Sequence, residues 1–104
     1  MNIPLMPKSI ISIINYQSDA IVSKQLLKKN NGTVTLHAFD KDESLNDSTS
    51  PHDILIHVLE GTIDLKVNGT SNLIKTTEYF SLPAKIPYSI EAKEKTKVLL
   101  TIIK

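Results

Sequence analysis

At 104 residues, with 40% apolar residues and a formal charge of +1, the chain has the size of one globular domain and no general attraction for nucleic acid or acidic lipid. It contains no cysteine, which excludes disulfides, thiolate nucleophiles and cysteine-based zinc sites. All twelve basic residues are lysine, so no guanidinium fork is present to grip a phosphate or carboxylate.

The first apolar run, residues 9–14, is rich in isoleucine but too short and too interrupted for a signal sequence or a membrane span. The expectation is a soluble, cytoplasmic protein with residues 1–16 as an N-terminal arm or strand and residues 17–104 as the body of a single domain. Residues 20–27 read as a strand. Lys24-Gln25-Leu26-Leu27-Lys28-Lys29 has the look of a helical turn, but it is too short to stand alone as a helix. Asn30-Asn31-Gly32 marks a turn, and residues 33–39 form the next β-rich run. The polar stretch 40–51 reads as a long loop over one end of the domain. Residues 54–59 form a further strand, closed by Glu60-Gly61. Thr62-Ile63-Asp64-Leu65-Lys66-Val67 alternates without a break, as a half-buried strand does, and Asn68-Gly69 after it is a strong hairpin signal. Residues 96–103 form the last β-rich run. Short strands with turn signals between them, and no helical stripe, predict an all-β sandwich or barrel.

The segment Pro51-His52-Asp53-Ile54-Leu55-Ile56-His57-Val58-Leu59-Glu60-Gly61 resembles the first motif of the cupins, where a strand ends in Val-Leu-Glu-Gly. Glu78-Tyr79-Phe80-Ser81-Leu82-Pro83-Ala84-Lys85-Ile86-Pro87-Tyr88 resembles the second, and Lys97 to Ile103 the closing strand. Residues 17–24 and 34–41 also fit the small one-domain cupins of bacteria. The resemblance covers residues 17–104 and implies a single-domain jelly-roll β-barrel. It also implies a metal cage of three histidines and one glutamate, and here the chain departs from the family. Counted back from Gly61, the glutamate position holds Ile54 and the paired-histidine positions fall on Ser48 and Ser50. In the second motif the histidine position holds Tyr88 and the opening glycine is Thr77. Serine is a poor neutral ligand, isoleucine none and tyrosine a rare one, so no metal and no cofactor is expected.

By the same register Ser48, Ser50, His52, Ile54, Ile56 and Tyr88 point into the barrel and are the candidate ligand-binding residues. His52 is the imidazole nearest the lost metal site, and the bland alternative places it on the surface at a loop–strand junction. Tyr88 either donates a hydrogen bond to a ligand or fills the space left by the metal. Tyr79 and Phe80 are candidates for the pocket wall or the core. His57 shares a face with Leu55 and Leu59, opposite Ile54, and is expected outside the lumen; the face of His37 is left open. Asp42-Glu43, Lys28-Lys29 and Lys93-Glu94-Lys95 read as solvated surface rather than as catalytic or nucleic-acid-binding groups.

No phosphate-binding loop, nucleophile elbow or zinc-protease motif is present. Three functions compete: a metal-free barrel that binds a small neutral metabolite, a structural or regulatory homodimer with a filled barrel, and a metal-dependent dioxygenase or isomerase. Fold alone selects none of them, and the missing ligands weigh against the third. The isoleucine-rich N-terminus and the outward Leu55, His57 and Leu59 lead to the expectation of a two-fold homodimer in which N-terminal strands cover or extend the neighbour's sheet.

Overall fold

The computed structural model describes residues 5–104. In that span lie nine strands: β1 (Ile21–Lys29), β2 (Gly32–Phe39), β3 (Ser44–Ser48), β4 (Asp53–Glu60), β5 (Thr62–Val67), β6 (Thr70–Lys75), β7 (Tyr79–Leu82), β8 (Tyr88–Ala92) and β9 (Thr96–Ile103). They form two antiparallel sheets, one in the order β1-β2-β9-β4-β7 and the other in the order β3-β8-β5-β6. The alternation of apolar residues decides which face each strand buries. In β4, Ile54, Ile56 and Val58 pair with Ile102, Leu100 and Val98 of β9, and all face the second sheet. Ile63 and Leu65 of β5 and Ile90 and Ala92 of β8 meet them from the other side, making one continuous core. The segment 24–29 is strand, as its alternation implies.

The loop expected over residues 40–51 is interrupted by β3, whose Leu45 pairs with Ile90 of β8. A five-residue edge strand reading Ser-Leu-Asn-Asp-Ser, with one apolar side chain and an irregularity between Leu45 and Ser48, carries almost no periodic signal. Two turns are set by backbone chemistry. Asn68 and Gly69 take φ of 51° and 80°, which suits the tight β5–β6 hairpin. Gly61, at φ 94°, sits so close to β9 that a Cβ there would lie 2.4 Å from Thr96 Oγ1 and 2.5 Å from the Lys95 carbonyl.

Residues 5–20 form turns and extended chain rather than a strand. They also cover their own sheet. Ile14 is buried against Leu36 and Ala38 of β2, with Ile10, Ile13 and Tyr16 packed around it against Leu59, Leu99 and Val22. Polar contacts pin this arm. The Tyr16 hydroxyl donates to Glu60 at 2.5 Å, and Lys97, almost fully buried, donates to the Ile11 carbonyl. The ammonium of Lys97 also lies 5.1 Å from the Tyr16 ring centre. Burial, then the hydrogen bond and negative charge of Glu60, push the Tyr16 phenol well above its usual range, so it stays a donor.

Candidate functional site

The six residues expected in the lumen divide into three groups. Ile54, Ile56 and Tyr88 belong to the central core, with Ile54 at 2% and Tyr88 at 8% exposure. Ser48 stands opposite Tyr88 across the β3–β8 ladder and so shares its inward face. Burial pushes the Tyr88 phenol up, and the Ser48 hydroxyl beside it draws it part of the way back. Ser50 and His52 lie outside this packed interior, at the half-buried bend before β4. There the Ser50 hydroxyl accepts a hydrogen bond from the His52 backbone amide at 3.1 Å. Phe80 packs against the core, whereas Tyr79 lies exposed opposite His57 on the outer face. His57 is on the outer face, as its position in β4 implies, paired with Leu99.

Tyr88 borders a shallow surface cavity with the polar Asp47, Lys66 and Ser89, and His37, the residue that sequence left unplaced, meets a more enclosed and apolar one. His37 pairs with Val98 of β9, which puts it on the inner face of its sheet beside Phe39. On the edge strand β1, Ser23 is its register partner, and the Ser23 hydroxyl lies 2.7 Å from His37 Nδ1. These two side chains, with Ile21, Phe39 and Leu100 from the same sheet and Leu45 from β3 of the other, line a cavity of about 220 Å³. It sits where the edge strands β1 and β3 come together, and it opens to solvent past Ser23 and Leu45. Burial holds the His37 imidazole below its usual pKa range and so favours the neutral ring. The result is a small apolar chamber with one neutral imidazole and one hydroxyl, and no charged residue in its lining. Strand pairing of His37 with Ser23 was the missing signal. It depends on the β1–β2 register, which shifts at a bulge between Gln25 and Leu27.

Comparison with known proteins bears on the fold. A cupin superfamily protein from Desulfitobacterium hafniense superposes with a TM-score of 0.91 at 20% identity, covering 99% of this chain and 95% of that one. A cupin 2 conserved barrel domain protein from Leptotrichia buccalis is 38% identical with a TM-score of 0.88 over 91% of this chain. The fold is that of the cupins. This chain spans about half, 46%, of the Leptotrichia protein's length. A conserved protein of unknown function from Streptococcus pyogenes also shares the fold, with a TM-score of 0.80 at 23% identity over 85% of this chain and 77% of that one. No protein-family model matches the chain, and no curated protein matches it either.

The cupin fold implies a metal held at the barrel's motif positions, and the donors present here do not fit one. Ile54 offers no lone pair and is packed into the core. Ser48 is a neutral hydroxyl facing Tyr88, and the Tyr88 phenol is held in its protonated form at neutral pH. Among the described residues, no group of three or more His, Asp or Glu side chains gathers in a way that would hold a metal ion. None of them forms a helix long and apolar enough to cross a membrane.

Proposed function

We propose that this chain is a metal-independent cupin-fold protein that binds a small uncharged molecule in the cavity beside His37. One observation carries the reading: a neutral imidazole and a hydroxyl, 2.7 Å apart, aimed into a chamber whose other walls are apolar. The misfit of Ser48, Ser50, Ile54 and Tyr88 to a metal supports its metal-independent part. A screen of neutral fragments by thermal shift, repeated on Leu45→Trp, tests the site. Leu45 is about one-third exposed on an edge strand, so the larger ring fills the cavity without entering the core. Hits are expected with the natural chain and lost in the variant, while His52→Ala and Tyr88→Phe, outside the cavity lining, leave them unchanged. Elemental analysis of protein purified without metal-affinity resin checks the metal-independent part: one transition metal per chain would overturn it.

A homodimer is the second part of the proposal, and the outer face of the five-stranded sheet favours it. Leu27, Val34, Thr101 and Leu55 form a row across β1, β2, β9 and β4, with Leu27 and Leu55 exposed and Ile103 exposed nearby. The described part of the N-terminal arm covers the adjoining rows of its own chain, so this row, rather than a strand lent by the arm, is the proposed contact. Light scattering is expected to give twice 11.6 kDa, and Leu55→Lys to give the monomer. A monomer in the natural chain at micromolar concentration would overturn it.

A further inference from the structure

We infer that the cavity beside His37 selects an uncharged aromatic ring bearing a hydroxyl, a simple phenol, over aliphatic or anionic molecules of the same size. The inference rests on the binding reading above and adds the chemical class of the ligand. Size sets the first limit. A cavity of about 220 Å³ exceeds the ~150 Å³ that holds a benzene ring and falls below the ~300 Å³ at which drug-sized sites begin. It therefore takes one six-membered ring with one or two substituents. Wall chemistry sets the second. Phe39 is almost fully buried and so fixed in place, and its ring centre lies 6.3 Å from that of His37, with the planes tilted by 57°. A third ring entering between Ile21, Leu45 and Leu100 would share the cavity with an existing aromatic pair, and aromatic rings favour edge-to-face or offset packing with one another.

The polar pair sets the third limit. His37 Nδ1 is engaged with the Ser23 hydroxyl, in one of two proton arrangements. If Ser23 donates to Nδ1, the ring's Nε2 carries the proton and donates to a ligand. If Nδ1 donates to Ser23, Nε2 accepts, and the hydroxyl proton is free to be given away. A phenol hydroxyl both donates and accepts, so it satisfies either arrangement. A carboxylate would bring a full negative charge into a chamber whose lining holds no cation.

Phenol, toluene, cyclohexanol and benzoate share one ring size and separate these terms. Titration of the full chain by NMR, following the amides of Ser23, His37 and Leu45, reads binding even when it is weak. Phenol is expected to bind about three- to tenfold more tightly than toluene and about two- to tenfold more tightly than cyclohexanol, and benzoate not at all. His37→Phe should erase the gap between phenol and toluene, and Leu45→Trp should remove both. Toluene or cyclohexanol binding as well as phenol would overturn the phenol assignment and leave the binding reading standing, whereas benzoate binding at all would overturn both the phenol assignment and the uncharged part of that reading. Silence from all three neutral probes, or shifts that survive Leu45→Trp, would overturn both.

Discussion

On one side of the barrel interior, β4, β5, β8 and β9 drive Ile56, Val58, Ile63, Leu65, Ile90 and Val98 to zero exposure, and Tyr88 closes the end. On the other, where the edge strands β1 and β3 meet, Leu45 is 37% exposed and a gap remains beside His37. Of the four positions where the cupin motifs place their metal ligands, the first side holds Ile54 and Tyr88, both packed as ordinary core, while Ser48 lies on β3 and Ser50 at the bend before β4. The second side owes its gap to short, polar β3, which brings a single apolar side chain to its edge. The contrast separates two properties that fold resemblance tends to merge. An open interior belongs to the architecture, whereas the point at which that interior meets a ligand depends on a few side chains and can shift from one pair of strands to another.

The sharpest way to break the packed side is Gly61→Ala. A Cβ at φ 94° meets both the Thr96 hydroxyl and the Lys95 carbonyl well inside contact distance. Forcing an alanine there combines backbone strain with displacement of β9, and urea unfolding should show a loss of about 3–5 kcal/mol. The comparison itself is tested by one matched pair. Ile56→Ala, in the packed side, should cost about 2–4 kcal/mol, because the surrounding strands cannot collapse into the space left. Leu45→Ala, at the gap, removes a similar side chain from a place already part-solvated and should cost under about 1 kcal/mol. Equal costs would mean that the two sides are packed alike. Tyr88→Phe, which deletes a hydroxyl whose neighbour is Ser48, should change stability by no more than about 1.5 kcal/mol.

Much of this architecture was legible in the chain. Strands β5 and β9 carry full alternation or a dense β-branched run, Asn68-Gly69 declares its hairpin, and the inward Ile54 and Ile56 follow from counting back from Gly61. Strand β3 was not legible, because one leucine among polar residues leaves no period to read. The arm's destination was equally hidden. Its isoleucines announce burial but not against which surface, and the decisive groups, Tyr16 with Glu60 and the Ile11 carbonyl with Lys97, are far apart in sequence. At the candidate site the motif positions gave the absent metal ligands and the inward faces of Ser48, Ile54 and Tyr88. Which inward residue borders empty space is a property of packing across two sheets. His37 acquires its partner only through the β1–β2 ladder and its cavity only through β3.

The smallest expected effect reports on the gap side alone. Burial lowers the pKa of His37 in the folded protein, whereas in the unfolded chain it titrates near its ordinary value of about 6.5. Above that pH both states hold a neutral ring, and the residue adds no pH dependence. As the pH falls below about 6.5, the unfolded chain takes up a proton that the folded chain refuses. The unfolded state then binds more protons, and stability declines until the pH reaches the lower folded value, beyond which the loss stays constant. The ring lies beside the Ser23 hydroxyl and the tilted ring of Phe39, with no carboxylate in the cavity lining to reverse the sign. His37→Gln removes the titration and keeps a polar side chain. Urea unfolding of both proteins from pH 8 to pH 5 should show the natural chain losing stability relative to the variant, beginning near pH 6.5. A difference that stays flat across that range, or that grows in the natural chain's favour as the pH falls, would mean that His37 is as well solvated in the fold as in the unfolded chain and that the gap is open water rather than a ligand chamber.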